Sequence, residues 1–410
     1  MVSFLKIPAM NLLTHWKDPF SSIDLMPADN KQGKIALYDA HHLEHCPWDQ
    51  TLNGHYAKAF LTPLIKTGVS QYIENIQTDL RALVIDEWIL PVTINQAEYE
   101  NSYVCSPYSY YISYAKNSLD LFLSQAWLRH SINGVLAGLG KILRQLEINK
   151  VVMVNNWLYS TNLYPQLQPQ QLTRIVHFLQ QLFPDYAIIF RSVDPYTNPV
   201  CYQTLQQMGF EYIATRQIFF IDPHASSFFE SRLFKSDLKL LKNSEYEVIE
   251  GEQLTENDIP RLLELYRDVY IDKYSGLNPK FNSNFLRLAL EEQLWTFKAL
   301  KREGQIDGII GYMQCDGKMY CPFFGYDRHV PKEKGLYRLL STVLILEAYD
   351  RHLFFHQSAG ASMFKKIRKA HSCIEYTAVF YKHLKIQRHI PWLILKNLYN
   401  SLGIIYMKRY

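Results

Sequence analysis

His356 closes a short apolar run, Leu353-Phe354-Phe355-His356, and is followed by the small turn Gln357-Ser358-Ala359-Gly360. An imidazole with an ordinary pKa of about 6.5 can take and return protons at neutral pH, which suits a general base. It can equally hydrogen-bond the Ser358–Gly360 turn. Glu375 alternates with Ile374 and Tyr376, so it is a second candidate base or a partner for an ammonium group, with Lys365 and Arg368 as competing partners. Tyr320 and Tyr326 share one face of a neighbouring run, where a phenol can protonate a leaving thiolate or serve as a strand residue only. Upstream of the helix that carries Leu336 and Tyr337 stands Arg328-His329-Val330-Pro331-Lys332-Glu333-Lys334-Gly335. Free N–H groups at a helix start, with Arg328, Lys332 and Lys334 around them, form an anion site beside Gly335, Leu336 and Tyr337; a solvated loop is the alternative. Lys365, Lys366, Arg368 and Lys369 make a basic helix face that can grip phosphates or an acidic partner.

These residues need strands and helices to hold them, and the sequence supplies the punctuation. Ile306–Gln314 and Lys318–Tyr326 are β-rich runs joined by Cys315-Asp316-Gly317, a turn whose residues tolerate positive φ, so they form a hairpin. Leu336, Leu339, Leu340, Val343 and Leu344 fall at helical spacing after the basic loop. The short strand ending at His356, a helix over Ala361–Ala370 and a strand over Ile374–Phe380 complete the order. The first part of the chain repeats it without repeating residues. A hairpin over Arg81–Ile85 and Trp88–Ile94 is followed by a helical stretch, Ser118–Leu146, expected to break near Gly134, Gly138 or Gly140. A strand over Val151–Asn155, a helix over Gln170–Phe183 and a strand over Tyr186–Val193 follow. Then come a helix capped by Asn198-Pro199 and a strand over Phe210–Ile221. Asp222–Tyr246 reads as a polar bridge between two separate mixed sheets, with the better cleft in the second. Tyr274–Pro279 is a loop of the kind that covers an acceptor, and Tyr108 lies in a tyrosine-rich stretch suited either to a groove or to half-buried strand positions.

His356-Gln357-Ser358-Ala359-Gly360-Ala361, Phe364-Lys365-Lys366 and Arg368-Lys369-Ala370, in this order of elements, resemble the acyl-transferring half of the GNAT acyltransferase fold. The closer likeness is to its two-lobed relatives, the Fem-type transferases and GNAT-like proteins linked to peptidoglycan biosynthesis. The resemblance implies an α/β fold of tandem GNAT-like domains. Residues 1–235 would form a degenerate, acceptor-shaping lobe, since Tyr164–Pro169 before its helix has no basic residue; residues 236–410 would bind the donor and catalyse. It also implies that the thioester carbonyl sits where two parallel strands splay, here Met319–Tyr326 and Leu353–His356. The expected activity is transfer of an acyl group, fatty acyl included, from an acyl-CoA or acyl carrier protein thioester to an amine of an amino acid or peptide. No cofactor is expected to be tightly bound. The glycine-rich pyrophosphate loop of simple GNAT enzymes is reduced here to Gly335, which leaves coenzyme A and carrier protein both open. The rival readings are a Fem-type aminoacyltransferase, weakened by the lack of a long charged coiled-coil stretch, and a non-catalytic binding protein.

At 410 residues the chain suits two domains, and 20% charged with 48% hydrophobic residues describe a globular protein. A net charge of +4 does not by itself argue for nucleic acid. Six cysteines without a CxxC pair suggest reduced thiols and a cytoplasmic setting, and no secretory signal or membrane span is expected. His41, His42, His45 and Cys46 match no zinc spacing and read as a polar loop, so no metal is expected. The apolar tail Ile390–Tyr410 suits a packed terminal helix better than a weak membrane contact.

Overall fold

The computed structural model describes residues 33–117, 125–225 and 228–404. Its strands are β1 (Ile35–Tyr38), β2 (Asp79–Ile85), β3 (Trp88–Asn95), β4 (Val151–Val154), β5 (Ala187–Val193), β6 (Glu211–Ile221), β7 (Glu247–Glu250), β8 (Thr296–Arg302), β9 (Gln305–Cys315), β10 (Lys318–Tyr326), β11 (Phe354–His356) and β12 (His371–Phe380). They form one 12-stranded sheet in the order β1-β2-β3-β4-β5-β12-β6-β11-β10-β9-β8-β7. This corrects the expectation of two separate sheets. The reason lies in where β6 and β12 pair.

From the β1 edge, three antiparallel pairings lead to the parallel pair β4–β5, then to antiparallel β12 and β6. From the β7 edge, three antiparallel pairings lead to the parallel pair β10–β11, then to antiparallel β6 and β12. The two halves thus repeat one pattern, with β6 and β12 exchanging places: each half lends its last strand to the other. A mixed sheet built twice over with helices on its faces is the tandem GNAT-like arrangement expected. Asp316 and Gly317, both at positive φ (50° and 70°), make the tight turn between β9 and β10.

The helices are α1 (Gly54–Thr67), α2 (Ala126–Gln145), α3 (Pro169–Leu182), α4 (Pro199–Gln207), α5 (Arg232–Lys242), α6 (Ile259–Tyr266), α7 (Ser283–Glu291), α8 (Leu336–Asp350), α9 (Ser362–Ile367) and α10 (Ile390–Leu398). One core spans both halves, with Phe60 of α1 edge-on to Trp157, Tyr159 and Phe285. On the other face each half keeps its own core, under α3 and α4 for the first and under α5 and α8 for the second. None of the helices among the described residues is long and apolar enough to cross a membrane.

Three local expectations change, and the packed terminal helix stands. α2 runs unbroken through Gly134, Gly138 and Gly140, where a Cβ at the first two would meet nothing, so the glycines loosen the helix without ending it. The start of that stretch, 118–124, lies outside the described residues, as do the N-terminal segment read for a signal and the end of the tail. α4 begins at Pro199, but Asn198 gives its amide to Asp194 instead of capping. The stretch 222–246 is more than a bridge: its helix α5 packs on α8, and Asp237 is buried between Arg338 and Arg368. α10 packs through Trp392 and Leu395.

β10 is laid directly against α6. A Cβ on Gly325 would stand 2.6 Å from the Leu265 carbonyl carbon and 2.7 Å from the Tyr266 nitrogen, both backbone atoms that cannot step aside. Gly325→Ala is expected to lower stability by about 1–3 kcal/mol in urea denaturation. An unchanged midpoint would mean that α6 and β10 are not in such close contact.

Candidate active site

β10 and β11 pair in parallel over only three residues, Lys318–Tyr320 against Phe354–His356. The β9–β10 register then shifts between Tyr320 and Phe323, and β10 runs on to Tyr326 with only β9 beside it. β11 instead stops at His356 and turns towards β6, where Gln357 N–H donates to Phe219 (2.8 Å) and Phe219 N–H to Ser358 (3.1 Å). The two strands part, and a cavity of about 470 Å³ opens between them. Tyr320, Phe324 and Tyr326 line one side, the 356–365 turn and helix the other, with Tyr337, Ser341 and Leu344 of α8 alongside. Tyr270, Tyr274 and Asn278 from the stretch after α6 cover it, and Tyr103, Tyr114, Ser160 and Arg216 of the first half complete the wall. None of the lining residues is an Asp or Glu.

His356 is buried, and its Nδ1 accepts the Ser358 N–H at 2.9 Å. The ring proton therefore sits on Nε2, and the ring has no free lone pair. Burial, then the cations Arg216 and Lys365, push its pKa down to about 3. The geometry supports the bracing of the turn and argues against a general base. Lys365 is buried as well, and its Nζ donates to the carbonyls of Gln357 (2.7 Å), Ala359 (2.6 Å) and Ser358 (3.3 Å). Burial and then Arg216 pull its pKa down to about 7, while three acceptors for three protons act the other way. The ammonium thus staples α9 to the turn.

Glu375 does not line the cavity; its carboxylate receives Arg216 Nε at 2.8 Å and Nη2 at 3.1 Å across the β6–β12 ladder, where the two residues stand opposite each other. Neither Lys365 nor Arg368 is its partner. Burial opposes the guanidinium's charge, but Glu375 outweighs it, so the Arg216 pKa is raised. Arg216 Nη2 also donates to the Ser160 carbonyl and Thr161 Oγ1, both at 2.7 Å. Tyr320 Oη lies 2.5 Å from Ser160 Oγ, and burial pushes its phenol up to about 12. Tyr320 is a protonated phenol at neutral pH.

The structure brings Tyr320, Tyr326, Tyr337, Tyr274, His356 and Lys365 together around one cavity. It does not bring the rest. Tyr108 is buried elsewhere, with Arg144 stacked 4.4 Å over its ring; Tyr103 and Tyr114 from the same stretch reach the cleft instead. Arg328 donates to the Asp268 carbonyl, Lys334 is paired with Glu245 at 2.8 Å, and Lys332 is exposed. Leu336 is a core residue, and Gly335, at φ 70°, turns the chain into α8. Sequence reasoning missed Ser160 and Arg216. Their one signal is a charged residue inside a long apolar strand, Arg216 within Phe210–Ile221, matched by Glu375 within Ile374–Phe380. Among the described residues no group of three His, Cys, Asp or Glu side chains is placed to hold a metal.

No family model and no curated protein matches the chain. Among solved structures, L-PGS from Bacillus licheniformis is 15% identical with a TM-score of 0.42 over 55% of this chain and 77% of its own. FemX is 9% identical with a TM-score of 0.43, over 55% and 79%. A putative GNAT-family acetyltransferase from Novosphingobium aromaticivorans is 15% identical with a TM-score of 0.27, over 47% and 72%. At these TM-scores the likenesses carry no argument about this chain.

Because the folded pKa of His356 lies below the ordinary 6.5, the unfolded chain takes up a proton that the folded one refuses as pH falls. The stability that neutral His356 supports is complete above about pH 6.5 and is lost progressively towards pH 3. His356→Gln, which cannot titrate, is expected to show a smaller loss of denaturant stability between pH 7 and pH 5 than the native chain. Equal losses would mean that His356 titrates normally in the fold.

Proposed function

We propose that the chain is a transferase of the N-acyl class, moving an acyl group from a coenzyme A or carrier-protein thioester to an amine. The observation that supports this best is the splay of β10 from β11 over a cavity that runs from Tyr320 to the first turns of α8. A thioester lying in that gap has the unpaired β10 edge for its carbonyl, with Tyr337 and Ser341 of α8 beside its tail. Residues 236–410 supply this donor site, and residues 1–235 contribute Tyr103, Ser160 and Arg216 to shape the acceptor side.

The chemistry is a direct displacement. The amine lone pair attacks the thioester carbon, the C–S bond breaks, and the proton lost by nitrogen ends on sulfur. Tyr320 is the acid for the thiolate, since its phenol stays protonated, and Ser160 at 2.5 Å can pass a proton to it. Among the described residues no carboxylate lines the cleft, and His356 has no free lone pair, so the amine arrives from its neutral fraction, which the surrounding cations enlarge. The aromatic walls leave room for a fatty chain, and a lipidated amino acid or peptide is the product class favoured.

The test is incubation with acyl-CoA and acyl carrier protein thioesters of graded chain length, and separately with aminoacyl-tRNA, each with pooled amino acids and peptides and read by mass spectrometry. An amide product that falls roughly 10²–10⁴-fold in Tyr320→Phe is expected, the usual worth of a positioned acid. Consumption of aminoacyl-tRNA with all thioesters inert, or full turnover in Tyr320→Phe, would overturn the assignment.

A further inference from the structure

Arg216 is held unlike an ordinary buried arginine. Glu375 takes Nε and part of Nη2, and Ser160 and Thr161 take the rest of Nη2. Nη1 makes no hydrogen bond among the described residues, and the side chain keeps 18% of its surface, on a residue that lines the cleft. The carboxylate behind it fixes the guanidinium plane, so one edge faces the cavity already oriented. A guanidinium presented this way is matched to a carboxylate or another oxyanion.

Among the described residues no Asp or Glu lines the cleft to oppose an anion, and Lys273, over the Tyr274 ring at 5.1 Å, adds positive charge.

We propose that the acceptor is an amino acid, its carboxylate held by Nη1 of Arg216. This rests on the reading that the cleft binds an amine acceptor, and it narrows that acceptor to amines that carry a carboxylate. Arg216 is thereby a specificity-determining residue, and Glu375 is the positioning residue that aims it.

The test compares N-lauroylglycine with N-lauroylglycinamide by calorimetric titration of the full chain. Both carry the product's amide N–H, and only one carries a carboxylate. The acid is expected to bind about 10- to 100-fold more tightly, the usual worth of a hydrogen bond to a charged group. Arg216→Lys, whose ammonium has a single point to offer and is drawn to Glu375, is expected to erase the preference and leave amide affinity unchanged. If that variant does not fold, the paired replacement R216M/E375L leaves no buried charge alone and takes its place. Equal binding of acid and amide by the native chain, or a preference that survives removal of Arg216, would overturn the proposal. A carboxylate preference in a protein that turns over no thioester would sustain it and refute the transferase reading instead.

Discussion

The antiparallel pairing of β6 with β12 is the contact on which this structure depends. Its register runs from Glu211 opposite Val379 to Phe220 opposite His371, and each strand is the outer neighbour of the other half's sheet. Without it neither half closes, because β5 ends on β12 and β11 ends on β6. The same ladder sets Arg216 opposite Glu375, so the pair that anchors the cleft floor is a consequence of the strand exchange. A buried ion pair of this kind adds little net stability, because desolvation offsets most of the attraction. What it provides here is orientation. Glu375 holds one edge of Arg216, and the first half's Ser160 and Thr161 are drawn to another, which ties the two halves together at the cavity.

The cleft's polar groups divide into those that hold the backbone and those that face the cavity. His356 and Lys365 are both spent on the 357–359 turn, one accepting an N–H and the other saturating three carbonyls. That turn keeps β11 from following β10, so these residues maintain the gap without needing to touch a ligand. Tyr320 and Arg216 are among the polar residues that line the cavity itself. A lysine and a histidine beside a cavity invite a catalytic reading, and their partners here assign them to architecture.

Much of the fold was legible because local rules acted in it. Asp316-Gly317 gave the β9–β10 hairpin, and helical spacing after Gly335 gave α8. The small turn after His356 marked the end of β11. The union of the sheets was not legible, since a strand's sequence records that it is buried on both faces and not which strand lies beside it. Glu375 reads from the sequence as a base, an ammonium ligand or a partner of nearby Lys365 or Arg368, whereas its partner lies 159 residues away on β6. Basic residues of the 328–334 loop looked like anion ligands by composition, but nearby acceptors such as Glu245 and the Asp268 carbonyl take two of them. Tyr108 and Tyr103 are five positions apart in one tyrosine-rich stretch, and no periodicity distinguishes the core residue from the cleft residue.

The central claim is that an acyl donor lies in the gap between β10 and β11. It is tested most directly with a thioester analogue that carries a photoreactive diazirine beside its carbonyl, followed by peptide mapping. The account predicts saturable labelling confined to Tyr320–Tyr326 and His356–Gly360, competed by unmodified acyl thioester. Labelling instead at the parallel pair of the first half, around Val151–Val154 and Ala187–Phe190, would contradict it.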